Sequence, residues 1–114
     1  MTNIIILCKK NNYSNIINEI ENIPKDLNNF KNYFKHLCVY GILEYAIIQY
    51  QKSIENNILE INNKNQIKCD ESLNIYFNDL FNLVCQHGHL DVAKWLLEIK
   101  PDIDISIDNE YAFI

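Results

Sequence analysis

Along the chain, apolar residues recur at steps of three and four, in short blocks broken by Gly or Asn. Phe77, Phe81, Val84 and Cys85 form one such stripe, and the spacing predicts a helix that buries it. Gly88 follows as a left-handed residue that stops the helix. Leu90, Ala93 and Leu97, joined by Val92 and Leu96, predict a second helix. Its first turn carries Asp91, where a negative charge suits the helix dipole. Pro101 closes it, because Lys100, the residue before proline, is biased away from helix. The same grammar appears earlier in the chain. Phe30, Phe34, Leu37 and Cys38 lead to Gly41, and Leu43, Ala46, Ile47 and Tyr50 follow. Pro24 and Asp26 suit the N-terminal edge of that block.

Gly41 and Gly88 are the only glycines, and sliding the chain so that they coincide exposes a repeat. Phe34 then falls on Phe81, Leu37 on Val84, Cys38 on Cys85, Glu44 on Asp91 and Ala46 on Ala93. A third copy emerges when Cys8 is set on Cys38. Asn11 then takes the glycine place, Tyr13 the Leu place, Ile16 the Ala place and Ile20 the Tyr50 place. Asn tolerates the left-handed conformation better than other residues with a side chain. The stretch from Lys52 to Glu71 breaks the period. It is polar and Asn-rich, with Ile54, Ile58 and Ile61 at helical spacing, which predicts a helix extension and then a surface loop. After Pro101, Ile alternates with Asp or Ser, the pattern of an extended, half-exposed segment.

Composition sharpens this picture. The 114 residues are 48% hydrophobic and 22% charged with net charge −5, the profile of one small globular domain. None of the ten basic residues is Arg, so the fork that reads guanine edges and clamps phosphates is missing, and nucleic-acid binding is demoted. Ile and Asn make up a third of the chain, a bias toward A/T-rich codons that reflects the genome more than a function. The four cysteines, Cys8, Cys38, Cys69 and Cys85, form no CxxC pair, and the apolar run from Ile4 to Cys8 is too short for a secretion signal. No stretch approaches the roughly 18 apolar residues of a membrane span. Free thiols in a reducing, intracellular compartment are expected.

Three sharper chemistries fit these residues poorly. Cys85, His87 and His89 lie close in sequence but straddle a helix end, and zinc needs four convergent ligands. Cys38 with His36, or Cys85 with His87, lie two residues apart, a spacing that points side chains away from each other on a helix. Asp102, Asp104, Asp108 and Glu110 lack the glycine of a hand-like calcium loop. No metal, no cofactor and no catalytic residue is therefore expected.

The segment NLVCQHGHLDVAKWLLEIKPDID resembles an ankyrin repeat. Val84 and Cys85 take the small-residue places, Gly88-His89 the turn, and Leu90 to Leu97 the second helix. The wording is especially similar to the ankyrin arrays of large DNA viruses that infect amoebae. The clear repeat covers 72–105. Weaker copies cover 2–23 and 26–54, a polar insert covers 55–71, and 109–114 resembles the start of a further repeat. The TPLH motif is absent, with Asp79-Leu80-Phe81-Asn82 in its place, so the hydrogen-bond clip it makes is replaced or lost. The Gly-His pair survives only at Gly88-His89.

The resemblance implies an all-α, ankyrin-type solenoid of about three helix-turn-helix pairs, the last repeat truncated. It implies non-catalytic protein–protein recognition, in the cytoplasm of an infected host cell if the viral likeness holds. Family members bind partners through loop tips and first-helix residues. Carried onto this chain, those are His36, Val39 and Tyr40, then Leu83, Gln86 and His87, with Asp102 and Asp104 in the acidic loop. That loop and the net charge imply a partner with a basic patch. Trp95 takes a place where the family packs Leu between helices. The alternative is a fragment of a longer array, or a self-associating piece whose uncapped last stripe stays apolar and open.

Overall fold

The computed structural model describes residues 13–104. The expected turn at Asn11 and the expected further repeat at 109–114 lie outside the described residues. Within them the chain forms five helices and no strand, so the described part is all-α. They are α1 (Tyr13–Glu21), α2 (Leu27–Val39), α3 (Leu43–Glu55), α4 (Glu71–Gln86) and α5 (Leu90–Ile99).

The helix ends follow from local chemistry. Asp26 caps α2, its carboxylate accepting the Asn29 N–H at 2.8 Å, and Asp70 caps α4 by accepting from Leu73 N–H at 2.8 Å. Gly41 and Gly88 sit at φ +76° and +75°. At the first turn the Gly41 N–H donates to Cys38 O and the Ile42 N–H to Leu37 O. At the second, Gly88 N–H donates to Cys85 O and His89 N–H to Val84 O. Each is the paired-bond C-terminal motif that needs a left-handed residue after the helix. Helices α3 and α5 start straight out of these turns, with no side-chain cap at Ile42 or His89.

A third turn of the same kind ends α3. Asn57 is left-handed at φ 58°, its N–H donates to Ile54 O, and the Ile58 N–H donates to Ser53 O. This corrects the helix extension expected through Ile58 and Ile61. The helix stops at Glu55, and Ile61 instead bridges Ile67 in an antiparallel pair. Leu59 and Ile67 are buried, and the Ile67 N–H donates to Ile99 O at 3.2 Å, so the insert is tied to the end of α5.

Helix α2 packs on α3, α4 on α5, and α2 on α4, so two helix pairs meet through their first helices. The core between them is aromatic. Phe34 stacks on Phe30 at 4.9 Å, meets Phe77 edge-on at 6.4 Å, and lies 5.9 Å from Trp95. Trp95 also meets Tyr50 edge-on at 5.6 Å, which joins α5 to the first pair. Helix α4 opens at Glu71, about two turns ahead of Asp79, where the family resemblance would start it.

Candidate functional site

The first-helix face of the two pairs carries a groove of about 430 Å³. Lys35 of α2 forms one wall, and Tyr76, Asp79, Leu80, Asn82, Leu83 and Gln86 of α4 form the floor and the other wall. Tyr76, Asp79, Leu83 and Gln86 recur at steps of three and four, so one face of α4 presents them together. The Tyr76 hydroxyl donates to Lys31 O at 2.8 Å, and the Lys31 ammonium lies 5.3 Å from the Tyr76 ring centre. These contacts fix the spacing of α2 and α4 beneath the groove. Burial first, then nearby Cys38 and Tyr33, hold the Tyr76 phenol well above its usual range, so it stays a donor. Asn82 is half-buried in the wall, and its Oδ1 is buried with no hydrogen-bond partner among the described residues. An acceptor left so costs about 1–3 kcal/mol.

The expected site residues separate into groups. Leu83 and Gln86 line the groove. His36 and Tyr40, one turn apart on α2 and both half-buried, stack with ring centres 6.4 Å apart. Burial and the charge of Lys35 lower the His36 pKa, which favours the neutral ring. His87 is exposed at the end of α4, with Nδ1 2.8 Å from Leu83 O. Val39 does not lie on the surface: it is 7% exposed and packs into the core, so its side chain offers a partner almost nothing.

The acidic loop is also tied down. The Asp102 carboxylate accepts from the Lys100 ammonium at 2.7 Å, and Lys100 is 3% exposed. The Asp104 N–H donates to Asn78 Oδ1 at 3.0 Å, which lays the loop back on α4. Asp102 is therefore the partner of a buried cation before it is a bait for a basic surface. The hydrogen bond to Lys100 holds the Asp102 carboxyl below its usual 3.8. A depressed carboxyl contributes stability above its unfolded pKa and loses it as pH falls through the lower folded value. The expected result is a loss of stability below about pH 4 that an Asp102→Asn variant lacks. That variant should cost about 1 kcal/mol at neutral pH, after screening at the exposed carboxylate. Urea melts at pH 7 and pH 3 check both.

Three thiols are described, Cys38, Cys69 and Cys85, and all are free. Burial pushes each of their pKa values up, most strongly for the core residue Cys38. Among the described residues no three His, Cys, Asp or Glu side chains gather as metal ligands, and Cys85, His87 and His89 do not converge. No helix there is long and apolar enough to cross a membrane.

Lys35, Tyr76 and Asn82 line the groove beyond the residues expected from the sequence. The signal for Tyr76 was present in the α4 spacing that also carries Leu83 and Gln86. Lys35 adjoins His36 on α2, and only the packing of α2 on α4 brings it to the groove. Compared with protein-family models, with curated proteins and with solved structures, the chain matches none.

Proposed function

We propose that this chain is a non-catalytic, ankyrin-type module that binds another protein through the groove between α2 and α4. The observation that carries the reading is the groove itself. It spans two helix pairs on the face formed by their first helices, and it sets apolar Leu83 among polar Asp79, Asn82 and Gln86. Such a surface suits an inserted apolar side chain with a donor beside it. The repeated helix–left-handed turn–helix unit supports the ankyrin reading, since it recurs at Gly41 and Gly88. Lys35 and Asp79 place one charge of each sign at the groove. With Asp102 already paired, the partner need not be strongly basic.

The test is comparative co-purification from the cells that produce the chain. The variants are Leu83→Asp with Gln86→Lys, and a control, Lys94→Glu, on the exposed side of α5. The expected result is a defined set of polypeptides held by the wild type and the control and lost by the groove variant. All three chains should keep equal helicity. Retention of the same set by the groove variant contradicts the reading.

A further inference from the structure

A second cavity, of about 320 Å³, lies among the end of α1, the loop after it, α2 and α3. It shares no lining residue with the groove. Three buried polar side chains line it: Ser53, whose hydroxyl donates to Tyr50 O at 2.6 Å, and two from different helices. Gln49 of α3 is 3% exposed, and Tyr33 of α2 is 2% exposed. Neither the Gln49 amide nor the Tyr33 hydroxyl makes a hydrogen bond with the described residues. A primary amide brings two donors and an acceptor, and neither it nor the phenol is sealed off without a partner, so water or a guest in the cavity meets them.

The rim is charged. Lys25 and Lys52 line the cavity, and the Lys25 ammonium donates to Ile20 O at 2.7 Å. Burial first, then repulsion from Lys52, lowers the Lys25 pKa, while Glu21 acts the other way. Glu21 and Glu55 also line the rim, which disfavours a highly charged guest. The volume sits at the small end of the range for small-molecule sites, about 300–1,000 Å³.

We propose that this cavity binds a small organic anion. Its single charged head lies between Lys25 and Lys52, and its hydroxylated body hydrogen-bonds Gln49 and Tyr33. A carboxylate and a phosphate monoester share this chemistry, and two probes separate them. The full chain, labelled with ¹⁵N, is titrated with glycerate and with glycerol 3-phosphate at fixed ionic strength, and with glycerol as the neutral control. The expected result is a saturable shift of the Gln49 side-chain amide signals with at least one anion and none with glycerol. Lys52→Gln, an exposed position, should weaken that binding at least tenfold. Gln49→Met should abolish saturable shifts at the neighbouring backbone amides while leaving the melting temperature equal or higher. A Gln49 that served only packing would lower it. The proposal is overturned if neither anion saturates, if glycerol acts as the anions do, or if binding survives both substitutions.

Discussion

Replacing Phe34 with Ala is expected to cost about 3–5 kcal/mol and to leave the chain largely unfolded near body temperature. Phe34 is fully buried, and its ring touches both helix pairs. It stacks on Phe30 within α2, and across the interface it meets Phe77 of α4 and Trp95 of α5. Truncation removes the burial of one aromatic side chain and opens a void that three other rings border. Those rings sit on separate helices, so the void cannot close without moving one pair against the other. Chemical denaturation followed by circular dichroism measures the effect. A loss under about 1 kcal/mol would mean that the two pairs are not held by this cluster.

Gly41→Ala is expected to cost about 2 kcal/mol, and Gly88→Ala only about 1 kcal/mol, although the two turns are alike in backbone. Both glycines are left-handed, so a Cβ strains each equally. The difference is the neighbour. A Cβ on Gly41 would lie 2.5 Å from His89 Nδ1, whereas a Cβ on Gly88 meets nothing within 4 Å. The His89 ring of the second turn therefore rests on the first turn. This contact gives the surviving Gly-His pair a physical role between units. In a His89→Ala background the Gly41 penalty should fall to that of Gly88, because only backbone strain remains. A double-mutant cycle on urea midpoints reads this directly. Equal penalties at the two glycines in the parent chain would remove the inter-turn contact from the picture.

Much of the helical order was legible in the sequence because short-range chemistry sets it. The stripes at Phe30–Cys38 and Phe77–Cys85, the Asp26 edge, the two glycine stops and the Lys100-Pro101 break act over one or two turns, and the structure places them as expected save that Cys85 is only half-buried. The insert differs from its expectation because Ile54, Ile58 and Ile61 fit a helical period by spacing alone. The pair Asn56-Asn57 ends the helix by the same left-handed turn that glycine makes elsewhere. The sequence carries that signal at Asn57 as it does at Asn11. The buried position of Val39 and the pairing of Asp102 depend on what packs nearby. Neither can be read from a residue's type or its place in a repeat. Leu83 and Gln86, named by analogy, line the groove, while Lys35 reaches it only through the approach of α2 to α4.

The reading that the groove serves another protein, and not a second copy of this chain, is open to one direct measurement. Ile75, 56% exposed on α4 beside Tyr76, is the kind of apolar surface through which copies could pair. Sedimentation equilibrium over a wide concentration range, on the parent chain and on Leu83→Asp, separates the two. A constant mass of 13.5 kDa for both, with full helicity, is the predicted result. A mass that rises with concentration in the parent chain and stays flat in Leu83→Asp would contradict it, because the groove would then be occupied by the chain itself.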